Sequence, residues 1–218
     1  MKKIIFWFVG IIIIIPGIQW GENVFITDQL VSYQLPPGQW LYLLSKLMAQ
    51  YAFLFFTVQL VLGFLLACRP NMFSWLSIKL HRTIGLAVLV STLLHAGLFV
   101  SAVAIRSGHL SFKSLRIIFD EGFYNLYVGL GVLAAGFMVI VVIIGLVRNL
   151  FPILFFRYVH RLAWLVWVFG FIHSYAIGTE TGGFLLWSWF YLLAGGLVSL
   201  LLIYRILSIS ENGSVAKK

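Results

Sequence analysis

The chain has 218 residues, 62% of them hydrophobic and 10% charged, with a formal net charge of +9. A soluble domain carries about 25% charged residues, so the mean hydropathy of +1.04 excludes that class and points to an integral membrane protein. The positive charge then concerns orientation in a bilayer, not nucleic acid, and the single cysteine, Cys68, excludes an internal disulfide and any multi-cysteine zinc or iron–sulfur site.

In chain order, Met1-Lys2-Lys3 precedes an apolar run from Ile4 to Ile18 that opens either a first span or a signal peptide. No small-residue cleavage site follows it (Gln19-Trp20-Gly21-Glu22), so an uncleaved helix is expected. Residues 19–39 read as a polar outer loop with Glu22 and Asp28, closed by the breaker Pro36-Pro37-Gly38. The second span is expected over Trp40–Ala67, with Trp40 and Tyr42 as an interfacial belt and Cys68 as a small apolar filler at its end. Arg69-Pro70 stops it, and a short basic loop leads through Lys79 to a third span from His81 to about Ala104. The connection 105–124 carries Arg106, His109, Lys113 and Arg116. Its centre, LSFKSLRIIF, is patterned as a short interfacial helix. A fourth span over Asn125–Val147, a basic turn Arg148–Arg157 containing Pro152, a fifth span over Tyr158–Ile177, a tight GTETGG turn and a sixth span over Phe184–Leu207 follow. A polar tail, 208–218, ends the chain.

With the N-terminus inside, Lys2, Lys3, Arg69, Lys79, Arg82, Arg148, Arg157, Arg161, Arg205, Lys217 and Lys218 face the cytoplasm. Arg106, Lys113 and Arg116 face outwards, as do the acids Glu22, Asp28, Asp120, Glu121 and Glu180, while Lys46 lies within the second span. This obeys the positive-inside rule. The expectation is an all-α integral membrane protein, a bundle of six transmembrane helices with both termini cytoplasmic in a plasma (or bacterial inner) membrane. Its organisation is a first helix and outer loop (1–39), a core of spans (40–207) and the tail.

Histidines carry the chemistry. His81 and His95 bracket thirteen almost wholly apolar residues, and His160 and His173 repeat the arrangement, again with His-Arg at the start. Fourteen helical steps of ~1.5 Å cover about 21 Å, so each pair places one imidazole near either face of a hydrocarbon core roughly 30 Å thick. Topology puts His81 and His160 at cytoplasmic ends and His95 and His173 towards the outside. A single intramembrane histidine is commonly an interhelical hydrogen-bonding group. Four in two matched layers point instead to two stacked b-type haems, each held by two axial imidazoles: His81 with His160, and His95 with His173. His109, in an outer loop, reads as solvated. Fourteen residues bring His95 back to within about 40° of the His81 face, whereas thirteen leave His173 about 140° from His160. Either the fifth helix is irregular, with Gly170 as the place for a distortion, or its two rings reach out from different sides.

This four-histidine spacing over six spans resembles the ferric-reductase-like transmembrane domain, the superfamily of NADPH oxidases, ferric reductases and the haem-binding membrane subunit of a bacterial methionine-sulfoxide reductase system. The resemblance covers about residues 40–207 and implies that His81, His95, His160 and His173 are the axial iron ligands. The intact quartet sets the chain apart from the methionine-sulfoxide reductase subunit, which usually lacks a histidine at the position of His81.

Arg82 and Arg161 each follow an inner histidine and suit either haem propionates or ordinary cytoplasmic anchoring. Gly85, Gly97, Gly129, Gly131 and Gly136 leave room either for a flat macrocycle or for close helix packing. Trp164 and Trp167 lie between the ligands of the fifth helix and are read as packing aromatics or as lining between the haems. Two haems form a membrane-spanning path for single electrons, and an outward electron is favoured by ~2.3 kcal/mol per 100 mV. No Gly-rich dinucleotide fingerprint is present, so the expected donor is a separate cytoplasmic flavin/NAD(P)H reductase docked on the basic inner loops, or a quinol. Ferric iron, dioxygen, a quinone or a periplasmic redox protein are the expected outer acceptors. The alternative class is a six-span transporter or assembly factor whose histidines bind substrate or protons without haem.

Overall fold

The computed structural model describes residues 14–22, 24–25, 35–68, 78–110, 115, 117, 122–179 and 185–215. Residues 14–22 and 24–25 are helical and form the described part of α1. Five longer helices follow: α2 (Gln39–Cys68), α3 (Ile78–Ser107), α4 (Phe123–Leu146), α5 (Ile153–Ile177) and α6 (Leu185–Val215). All five are long and apolar enough to cross a membrane, and no strand occurs among the described residues. The beginning of the first span, the basic loop 69–77, most of the expected interfacial helix and the GTETGG turn beyond Thr179 lie outside the described residues.

Large apolar side chains are exposed along α3 to α6, among them Leu86, Val90, Leu93 and Leu94 on α3 and Leu193, Leu200 and Ile203 on α6. In water such faces would drive aggregation. In hydrocarbon they cost nothing, and each helix satisfies its own backbone groups internally. The chain therefore reads as a multi-pass membrane protein.

The chain divides into two compact units, one of residues 1–54 and 87–116, the other of residues 55–86 and 117–218. In the first, Pro36-Pro37-Gly38 makes a tight turn closed by the Gln39 N–H donating to the Pro36 carbonyl at 3.1 Å. Gly38 has φ +76°, the left-handed value that the third residue of a type II turn requires, and proline precedes it at the preferred place. A Cβ at Gly38 would also stand 2.9 Å from the Ala102 carbonyl oxygen. The turn thus packs directly on α3, and Arg106 reinforces it by donating to Gln39 Oε1 and to the Pro37 carbonyl. Tyr42 lies beside two cations, with Lys46 at 5.2 Å and Arg106 at 5.1 Å from its ring centroid. α1 joins the same unit through the Trp20 indole N–H, which donates to the Leu43 carbonyl at 2.7 Å.

In the second unit α4 packs lengthwise on α5. Their connection is tighter than the sequence led us to expect. A 3₁₀ turn (Arg148–Leu150) and an extended Phe151 lead straight into α5 at Ile153. The expected basic turn, Arg148–Arg157, is therefore five residues too long. Pro152 marks the early start as the N-cap: its backbone is extended (φ −55°, ψ 140°) while its carbonyl already accepts the Phe156 N–H at 3.0 Å. Arg157 is accommodated within the helix because its long stem lets the charge stay exposed. α6 likewise continues to Val215, eight residues into the expected polar tail.

Candidate functional site

His81 sits in the first turn of α3 and His160 in the second turn of α5. Their rings face each other at 5.9 Å between centroids, 67° apart in plane. Both are partly buried, and the Nδ1 atom of each is buried with no hydrogen-bond partner among the described residues. Phe156, one turn before His160, stacks on that ring at 5.1 Å and 19°, and the Arg148 guanidinium lies 5.7 Å from the Phe156 centroid. On its other side His81 meets α2: the Gln59 amide nitrogen is 3.1 Å from His81 Nε2, and a Cβ at Gly63 would stand 3.2 Å from His81 Cε1.

The other two histidines are held differently. The His173 Nδ1–H donates to the Tyr127 carbonyl at 2.8 Å, and Gly131, one turn further along α4, gives the ring its place. A Cβ there would come within 2.5 Å of His173 Nδ1. In the first unit, the His95 Nδ1–H donates to the Ser45 carbonyl at 2.9 Å, while the Ser45 hydroxyl lies 3.0 Å from the same nitrogen and donates to the His95 carbonyl at 3.1 Å. Both imidazoles thus carry their proton on Nδ1 and their basic lone pair on Nε2. Metal-ligating histidines characteristically give one N–H to a carbonyl and the opposite nitrogen to the metal.

The phase question on α5 has a clear outcome. The helix is α-helical without interruption from Ile153 to Ile177, so Gly170 is no site of distortion. Instead His160 faces His81 of α3, whereas His173 faces Tyr127 and Gly131 of α4. The 140° offset of an ideal helix is what sends the two rings to different neighbours.

Of the weaker candidates, Arg82 and Arg161 are exposed, and the Arg161 guanidinium lies 5.7 Å from the Tyr158 ring centroid. Gly85 and Gly131 make close approaches to the site, to Gln59 and His173 respectively, whereas nothing lies within 4 Å of a Cβ at Gly97 or Gly136. Gly129 is buried within α4. Trp167 is a packing residue, 4% exposed, whose indole N–H donates to Thr57 Oγ1 at 3.1 Å; Trp164 is partly buried. His109 is exposed, as expected of a loop histidine, and its ring pairs with the nearby Ser107 carbonyl. Among the described residues no three His, Cys, Asp or Glu side chains come together as a metal cluster. Sequence reasoning overlooked Gln59, Gly63, Ser45 and Phe156. The signal for the first two was present: a glutamine and a glycine four residues apart on one face of an otherwise apolar span.

No model of a known protein family matches the chain, and no curated protein or solved structure matches it.

Proposed function

We propose that the chain is the haem-binding membrane component of an electron-transfer system of the ferric-reductase-like kind. The observation that carries this reading is the His81–His160 pair. Two imidazoles that share one metal, each at the ~2.0–2.1 Å of an ordinary metal–imidazole bond, have centroids no more than roughly 6.5 Å apart. The observed 5.9 Å fits that span. Buried Nδ1 atoms without partners and the glycine seat at Gly63 agree with it. So does Gly131, which admits the ring of His173.

His81 and His160 would hold the inner b-type haem, and His95 and His173, assigned to one layer by the order of the spans, the outer one. Bound there, haem supplies one-electron redox chemistry at its iron. The carbonyls of Ser45 and Tyr127 hold His95 and His173 in the tautomer that presents Nε2. Arg82 and Arg161, next in sequence to the inner ligands and exposed, would supply cations for the propionates. Positive-inside counting places both termini and these arginines on the cytoplasmic side. Electrons would enter there from a separate flavin/NAD(P)H reductase, or from quinol in the membrane. They would leave to an outer acceptor such as ferric iron, dioxygen or a redox protein.

The test is spectroscopic. Protein purified from cells supplied with haem is expected to show a Soret band, a reduced b-type α-band and about two haems per chain (two bis-histidine sites). A colourless protein under those conditions overturns the reading in favour of a transporter or assembly factor.

A further inference from the structure

Within the unit of residues 55–86 and 117–218, α2 and α3 meet through a reciprocal pair. Gln59 and Gly63 lie four residues apart on α2, and His81 and Gly85 lie four apart on α3, so each pair shares one helix face. Gly63 makes room for the ring of His81. Gly85 makes room for the amide of Gln59, since a Cβ there would stand 3.0 Å from Gln59 Nε2. Each helix has given up a side chain so that the polar group of the other can enter. A glutamine in an apolar span is costly, and this one spends its amide on a single ring nitrogen, His81 Nε2.

The amide nitrogen stands against the ring and Gln59 Oε1 is buried with no partner among the described residues, but which end of an amide faces a neighbour is a matter of hydrogen-bond assignment. With the carbonyl towards the ring, it accepts the His81 Nε2–H and leaves the lone pair on Nδ1, the atom with no partner among the described residues. That repeats the logic of His95 and His173, in which an oxygen of a neighbouring helix takes one N–H and the opposite nitrogen stays basic. The geometry points to Gln59 as the positioning residue of His81: its carbonyl fixes the ring's orientation and tautomer and makes Nδ1 the stronger donor. The inference rests on the haem reading above for its consequence. A hydrogen bond from the far N–H raises the basicity of a ligating imidazole, and a more basic ligand favours oxidised iron and lowers the midpoint potential.

The experiment compares the haem-loaded full chain with Gln59→Leu, Gln59→Glu and Gly85→Ala, titrating the α-band against potential. His81→Ala identifies which haem belongs to this histidine. Gln59→Leu is expected to retain both haems and to raise the potential of that haem alone. Gln59→Glu, a stronger acceptor, is expected to lower it. Gly85→Ala keeps the glutamine but crowds its amide, so it should shift the potential in the direction of Gln59→Leu and covers the case in which a buried carboxylate prevents folding. Two haems with an unmoved potential in both Gln59→Leu and Gly85→Ala would overturn the assignment, because the bound ring would then not be bonded to Gln59. The haem-free chain gives an independent readout by ¹⁵N NMR of histidine. His81 should be a single Nε2–H tautomer in the wild type and a mixture in Gln59→Leu. An Nδ1–H tautomer in the wild type overturns the inference. A wild type that takes up no haem but shows the Nε2–H tautomer overturns the proposed function and leaves the role of Gln59 standing.

Discussion

Gly131 shows how much of the site depends on one missing methyl group. An alanine Cβ there would lie inside the van der Waals envelope of the His173 ring, so Gly131→Ala must push the imidazole away from the Tyr127 carbonyl. Overpacking of this kind costs about 1–3 kcal/mol, more than the up to ~1 kcal/mol that a helical Gly→Ala gains. Thermal unfolding in detergent should therefore fall for Gly131→Ala, with loss of about one haem per chain. Gly136→Ala, where nothing lies within 4 Å of the new Cβ, should be neutral or stabilising. Equal behaviour of the two variants would remove the argument that Gly131 seats a ligand. The sequence placed both glycines in one class. Nothing in a one-dimensional pattern says which glycine on an apolar helix faces an aromatic ring and which faces lipid. The histidines were legible because a polar residue in an apolar run is conspicuous, and Ser45 was not, because a serine is a common small residue in such helices.

At the level of helices, hydropathy locates all six boundaries of α2 to α4 to within a few residues and misjudges the start of α5 and the end of α6. The two misses differ in cause. Arg157 looks like part of the turn before the fifth span, yet it lies inside α5 because its long stem keeps the charge exposed, and the polar residues after Leu207 look like a tail, yet α6 stays helical to Val215. The Pro36-Pro37-Gly38 turn was legible as a breaker, but its second role, packing on α3, was not. Replacing Gly38 by alanine would force a left-handed conformation costing roughly 1–2 kcal/mol and press the new methyl on the Ala102 carbonyl. A clear drop in melting temperature is expected for Gly38→Ala in detergent. An unchanged melting temperature would mean that the turn contributes little to the first unit. The uninterrupted course of α5 belongs to this scale as well: the thirteen-residue spacing looked like a defect in the sequence, and it directs two rings to two neighbouring helices.

For the whole molecule, the proposed orientation predicts opposite labelling of two exposed positions. In a Cys68→Ala background, His109→Cys should react with a membrane-impermeant maleimide in intact cells, and Leu150→Cys only after lysis. The reverse pattern would invert the path of the electrons and the side of the reductase. The central claim is that His81 and His160 hold the same haem, and counting haems in three variants addresses it most directly. His81→Ala and His160→Ala should each retain about one of two haems, and the double variant should still retain one, because both single changes empty one site (two axial ligands to one iron). A double variant that loses both haems while each single variant loses one would place the two histidines on different haems and contradict the account.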